Sequence, residues 1–163
     1  MLLDDLKSLL QSHGIWAKKG LGQNFLVDEG AFDQIVAAAE LQPTDTVVEV
    51  GPGTGFLTER LLAKAGRVIA VEYDEAMVRL LKLNFLSVKN LELVHQNALT
   101  FKVPEGVYKV VANIPYYITS PLLRHFLQSK NRPSLMVLLV QKEVAEKVCG
   151  LSGKSMVTIE TQV

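Results

Sequence analysis

Cysteine is nearly absent from this 163-residue chain. Its single thiol, Cys149, excludes a disulfide framework and points to a reducing, intracellular setting. Net charge is absent as well, since 17 Lys and Arg balance 17 Asp and Glu. That balance argues against a strongly basic nucleic-acid protein, while a local basic patch stays compatible with it. The longest strongly apolar run, LMVLLV at Leu135–Val140, is far too short to span a bilayer. The N-terminus carries Asp4 and Asp5 where a signal peptide would place basic and then apolar residues. His13, His95, His125 and Cys149 show no metal-ligand spacing. Repeats, low-complexity stretches and internal linkers are missing too. These absences predict a soluble cytoplasmic protein with no membrane and no metal.

What is present is a globular composition, 48% hydrophobic and 21% charged, over a length that suits one domain. A chain this long buries roughly 68–70% of its unfolded surface, enough for a real core. Leu2, Leu3, Leu6, Leu9 and Leu10 fall on one helical face, ended by Gly14. The aperiodic AKKGLGQNFLVD reads as a loop. EGAFDQIVAAAE reads as a helix with Asp28 as N-cap, closed by Pro43. Strands and helices then alternate. The strands are TVVEV, RVIAVEY, LELVH, YKVVAN, SLMVLLV and a half-exposed MVTIETQV. The helices are FLTERLLAKA stopped by Gly66, EAMVRLLKLNFL, SPLLRHFLQS with Ser120 as cap and Pro121 at its first position, and KEVAEKV. GLSGKS is the flexible-looking segment between the last two elements. Continuous apolar strands between helices predict a doubly wound, mostly parallel α/β sheet covered on both faces.

In such sheets ligands bind beyond the carboxyl ends of the strands. VVEVGPGTGFLTERLL supplies a loop there, with Gly51, Gly53 and Gly55 at alternate positions. The dinucleotide fingerprint is G-x-G-x-x-G, but here the spacing is G-x-G-x-G and Phe56 stands at the last site. Glu49 precedes the loop by two residues. A carboxylate is a poor neighbour for pyrophosphate and a good one for an ammonium group. The reading therefore moves to S-adenosylmethionine, whose amino-acid end is cationic. Glu72, ending the second strand about 20 residues on, is placed to accept from ribose hydroxyls. Asn97 in HQNAL is either an adenine-edge contact or a simple turn residue.

NIPYY, from Asn113 to Tyr117, ends the fourth strand. The Asn113 side-chain oxygen and the Ile114 carbonyl can accept the two hydrogens of an exocyclic amine, turning its nitrogen lone pair toward a methyl sulfonium. Pro115 sets the turn. Tyr116 offers a ring for base stacking, worth roughly 1–3 kcal/mol, whereas Tyr117 is as readily a packing residue. The object that fits is an unstacked nucleobase with an amino group, such as adenine.

KKGLGQNFL, EVGPGTGFLT, VEYD, NIPYYITSP and VQKEVAEKV occur in an order and spacing that resemble the ribosomal RNA adenine N6,N6-dimethyltransferases. The resemblance runs from about Ala17 to the end. It implies a Rossmann-like class I methyltransferase domain over residues 1–163 with a helical, basic extension at 1–28. It implies a cofactor site of Gln23, Asn24, Leu26, Glu49, Gly51, Gly53, Gly55, Glu72, Asn97 and Asn113. Asn113, Ile114, Pro115 and Tyr116 would form the catalytic group, and the substrate would be small-subunit ribosomal RNA in a pre-30S particle. Asn97 replaces the family's usual Asp. The resemblance also implies a further aromatic loop, a last strand inserted antiparallel after the fifth, and a C-terminal helical RNA-binding domain. Without that strand SLMVLLV would present an unpaired edge, and MVTIETQV would be frayed, packed elsewhere, or shared in an oligomer.

Methyl transfer asks mainly for positioning and a polar site, and no general base stands out. Lys7, Lys18 and Lys19 could meet phosphate, as could Arg124 and Lys130, for which solvated surface is the commoner role. The related macrolide-resistance enzymes, which methylate an adenine of large-subunit RNA, are the close rival, although GLGQNFL and QKEVAEKV lean away from them. A non-catalytic RNA- or cofactor-binding module is the rival from another class. A nicotinamide dehydrogenase is the weakest reading.

Overall fold

The structure, a computed structural model, describes residues 29–114, 116–140, 142–149 and 156–160. The sequence expectations for the first helix, the lysine-rich loop, Asp28, Gln23, Asn24, Leu26, Pro115 and GLSGKS lie outside these residues.

Six strands form one sheet: β1 Thr46–Val50, β2 Arg67–Glu72, β3 Leu91–His95, β4 Lys109–Asn113, β5 Leu135–Leu139 and β6 Met156–Glu160. Their order is β3-β2-β1-β4-β5-β6; the first five run parallel and β6 runs antiparallel. Five helices alternate with them: α1 Glu29–Ala38, α2 Phe56–Leu62, α3 Glu75–Asn84, α4 Thr119–Leu127 and α5 Lys142–Cys149. Strand side chains alternate between faces, so the valine-rich strands feed two cores. One core joins Val48, Val50, Val110 and Ala112 to Leu122 and Phe126 of α4. The other joins Val47, Val68, Val111 and Val137 to Ile35 of α1 and Leu61 of α2.

Three expectations are corrected. Gly66 does not stop α2 through a left-handed cap, because the helix already ends at Leu62. Gly66 is required because a Cβ there would lie 2.3 Å from the Pro43 carbonyl oxygen. Ser120 is not the cap of α4. A 3-10 turn, Tyr116–Ile118, runs straight into the helix, which leaves Ile118 at the N-cap with no side-chain bond. Pro121 still sits in the first turn, where its missing N–H has no intrahelical partner to lose. Finally, the edge of β5 is paired. Leu135 to Leu139 ladder with Glu160 to Met156, so β6 occupies the antiparallel position that the resemblance gave to a later strand.

Candidate functional site

Strand order reverses at β1 and β4, which lie side by side with Val50 opposite Ala112. The segments leaving these strands therefore diverge and open a crevice at their carboxyl ends. The glycine loop leaves β1 there. Its three glycines all take positive φ: 69° at Gly51, 57° at Gly53 and 91° at Gly55. A Cβ on Gly51 would stand 3.8 Å from the Asn113 carbonyl oxygen, so the loop begins directly beside the NIPYY segment. Gly55 has a different task. A Cβ on it would fall 2.7 Å from the Phe85 ring and 2.9 Å from Leu81, so this glycine lets the loop pack under the end of α3. Gly51 is exposed and Gly53 half-buried.

Glu72 ends β2 on the other flank of the loop. Its Oε2 accepts from Gly53 N at 3.1 Å, and its Oε1 accepts from Tyr73 N and Asp74 N, both at 2.8 Å. Burial raises its pKa, while the three backbone N–H groups act the other way. Glu72 thus holds the glycine loop in shape, a role beyond the expected ribose contact. Oε2, bonded once, keeps an acceptor position for a ligand hydroxyl. Asp74 follows as the N-cap of α3, accepting from Ala76 N at 2.8 Å. Tyr73, unremarked in the sequence beyond its place in VEYD, is 63% exposed beside this acid. Its signal was an aromatic placed directly after the strand-ending carboxylate.

Glu49 is the opposite of a surface carboxylate. Alternation along β1 puts it on the α2 side of the sheet, and it is 1% exposed. Neither side-chain oxygen has a hydrogen-bond partner, and the buried Thr58 hydroxyl of α2 has none either. Burial is the main force pushing the Glu49 pKa up to about 8, the nearby Thr58 hydroxyl opposes it, and the Glu72 charge adds to it. The expected neighbour for an ammonium group therefore lies buried behind the loop, where its surroundings oppose ionisation.

Asn97 makes the turn that was one of its two readings: Oδ1 accepts from Leu99 N at 2.9 Å, and its carbonyl accepts from Thr100 N. Asn113 is half-buried at the end of β4, and Ile114 packs into the core. Tyr116 opens the 3-10 turn and Tyr117 is exposed. An open cleft of about 480 Å³ runs along α4, lined by Leu99, Pro121, Arg124, His125, Gln128 and Ser129. Among the described residues no cluster of His, Cys, Asp and Glu could hold a metal ion, and no helix is long and apolar enough to cross a membrane.

The donor set fits S-adenosylmethionine better than a dinucleotide. Glu72 borders the loop with an acceptor position left on Oε2, which opposes a pyrophosphate and suits a ligand that donates, and Glu49 lies buried behind the loop with both oxygens orphaned.

Comparison with known proteins agrees with this geometry. The family described as Ribosomal RNA adenine dimethylase matches residues 15–163. The chain is 47% identical to Ribosomal RNA small subunit methyltransferase A of Dehalococcoides mccartyi, over 93% of this chain and 54% of that protein. It is 40% identical to the protein of that name from Ligilactobacillus salivarius, over 90% of this chain and 53% of the relative. The chain thus spans about half the length of the curated relatives it matches. Among solved structures it resembles the 23S rRNA methyltransferase ErmE, with TM-score 0.74 and 33% identity over 78% of this chain and 52% of that one. It also resembles a dimethyladenosine transferase from Plasmodium falciparum, with TM-score 0.70 and 36% identity over 76% of this chain and 46% of that one. The fold is that of the Rossmann-like S-adenosylmethionine-dependent methyltransferases, and the chain belongs to the ribosomal RNA adenine dimethylase family.

Proposed function

We propose that this chain binds S-adenosylmethionine and directs N6-dimethylation of adenosines in small-subunit ribosomal RNA, within a pre-30S particle in the cytoplasm. The observation that carries the reading is the meeting of Gly51 with the Asn113 carbonyl at the β1–β4 crevice, with Glu72 on the opposite flank. When bound, the cofactor supplies an activated methyl group on a sulfonium. The protein's part is to bind and orient. Gly51 and Gly53 let the backbone approach the ligand, Glu72 accepts from its hydroxyls, and the Tyr73 ring offers a face beside it. Asn24, Leu26 and Gln23 complete the cofactor side by family likeness. Asn113 and the Ile114 carbonyl hold the target amine, Pro115 sets their turn, and Tyr116 stacks the base. Displacement in line needs this alignment more than it needs a base, and the proton leaves to water.

The RNA strand leading to the base runs along α4 in this reading. No Asp or Glu occurs from Gly106 to Lys142, while Arg124, Lys130 and Arg132 do. Arg124 lines the cleft there.

The test is methyl transfer from S-adenosylmethionine to small and large ribosomal subunits, read by nucleoside mass spectrometry. Dimethyladenosine confined to small-subunit RNA is expected. Methylation of large-subunit RNA alone would establish the macrolide-resistance chemistry instead, and cofactor binding without transfer would leave a binding module. Tyr116→Ala should abolish transfer and leave the thermal midpoint nearly unchanged; full activity would remove Tyr116 from the site.

A further inference from the structure

A carboxyl group buried with both oxygens unpartnered is rare in folded proteins, because ionising it there is very unfavourable. Glu49 is such a group, and it lies two residues before the first glycine of the ligand loop. Most cations of the elements around it are engaged elsewhere, and Lys82 of α3 is exposed. Arg60 of α2 pairs with Asp33 of α1 and stacks on Phe32. Arg67 of β2 pairs with Glu92 of β3, Lys109 of β4 with Asp45, and Arg79 of α3 with Glu75. β5 carries no charged residue. The titratable group that Glu49 feels is Glu72, whose negative charge opposes ionisation further, with Asp74 behind it. Among the described residues, then, no cation pairs with Glu49.

We propose that Glu49 is carried as the neutral acid in the empty protein and gives up its proton when a cationic ligand settles on the glycine loop. The proposal rests on the reading of that loop as an S-adenosylmethionine site. Direct contact is not required, since a charge acts over several ångströms in a dry interior. The balance is simple: the Glu49 O–H bond breaks, the proton passes to buffer, and the carboxylate stays facing the ligand's positive charge. The consequence is a cofactor site that tightens as pH rises. Below a pH of about 8 the incoming ligand must expel a proton; above it the carboxylate is already formed.

Calorimetry of S-adenosylmethionine binding in buffers of different ionisation enthalpy measures the protons released. The wild type should release close to about one proton more than Glu49→Gln near neutral pH. Its affinity should rise up to roughly tenfold per pH unit below the Glu49 pKa, relative to that variant. The ligand's own amine titrates equally in both proteins, so the difference belongs to Glu49. 5′-Methylthioadenosine, which lacks the ammonium and the sulfonium, should bind with no such difference. A second readout needs no variant: infrared spectroscopy of the wild type should show a buried protonated carboxyl at neutral pH that vanishes on adding S-adenosylmethionine. Equal proton release in both proteins, or a carboxyl band absent beforehand or persistent afterwards, overturns the proposal while leaving the cofactor reading intact. Failure of S-adenosylmethionine to bind the wild type overturns the cofactor reading itself, and this proposal with it.

Discussion

The two ends of the sheet are built by different rules. At the amino end, where β1, β2, β3 and β4 begin, the polar groups are matched. The Lys109 ammonium reaches Asp45 at 2.9 Å and the Ala39 and Glu40 carbonyls at 3.1 and 2.7 Å. The Asp45 carbonyl accepts from Gly66 N and Arg67 N, and its side chain accepts from Gln42 N. Asn90 donates to the Leu62 and Ala65 carbonyls. At the carboxyl end the described residues include Glu49, Thr58 and Thr119, all buried with unpartnered side-chain oxygens. Three glycines at alternate positions there take left-handed backbone angles. Orphan polar atoms oppose stability, and left-handed angles admit little but glycine, so both mark this end as the one not built for stability alone. The matched end is the frame that holds them.

Substitution at the frame should be the more destructive. Gly66→Ala would drive a methyl group into the Pro43 carbonyl, which is backbone and cannot swing aside. Overpacking costs about 1–3 kcal/mol, and backbone that cannot give puts this site at the upper end. The thermal midpoint should fall by roughly 2–4 °C for each kcal/mol. The folded fraction should still bind S-adenosylmethionine with unchanged affinity. Gly51→Ala is the mirror experiment. It meets ordinary contact distances, so its penalty comes from the positive φ alone, about 1–2 kcal/mol. Binding should suffer more than folding. Equal effects of the two changes on both readouts would dissolve the distinction between the ends.

Glu72 straddles the two rules, because its carboxylate both serves the loop and stands in the crevice. Glu72→Gln keeps the shape and an acceptor for Tyr73 N and Asp74 N, but it turns an N–H₂ toward Gly53 N–H. Losing charge-assisted bonds of this sort is worth roughly 1.5–3 kcal/mol. Calorimetry should therefore show S-adenosylmethionine affinity about 10- to 100-fold weaker. An unchanged dissociation constant would take Glu72 out of the site.

How far these features were legible depended on whether the cause was local. Alternating valine-rich strands and amphipathic helices announce a covered parallel sheet, because burial on both faces imposes that pattern on each segment. The glycine loop, Glu72 and Asn113 could be placed at strand ends for the same reason. What stayed hidden was set by neighbours distant in sequence. Gly55 serves Phe85 and Leu81, and Gly66 serves Pro43; neither spacing shows on the chain. The partner of β5 is β6, chosen by pairing across the sheet edge. Glu49 could be flagged from its place before the loop, but the absence of any partner among the described residues is visible only once α2 and β2 are packed around it. Ser120 looked like a cap because Ser-Pro usually opens a helix, and the preceding 3-10 turn removed the need.

At the frame, Lys109→Met removes the cation of a mostly buried pair and leaves Asp45 and two carbonyls without it. Breaking such a pair from one side leaves an uncompensated charge. The pair keeps some solvent contact, and the Asp45 carboxylate retains its bond from Gln42 N, so about 1–2 kcal/mol is expected. Chemical denaturation should show the loss as an earlier midpoint with unchanged slope. Cofactor affinity should not move.

The smallest effect is expected at the pair of Arg67 and Glu92, on the same end of the sheet. It joins the start of β2 to β3, and both side chains are about half exposed, at 54% and 49%. Exposed ion pairs contribute only about 0–1 kcal/mol, because water screens them and ordering two long side chains opposes the gain. Arg67→Ala should therefore shift the denaturation midpoint barely beyond error, and the shift should shrink further in high salt. Comparison with Lys109→Met separates two accounts of the frame. If charge pairing alone held the amino end together, the two substitutions would act alike. If burial and full hydrogen bonding are what matter, Lys109 should dominate by a clear margin. A large, salt-insensitive loss at Arg67 would show that the β2–β3 edge carries more of the stability than its exposure suggests.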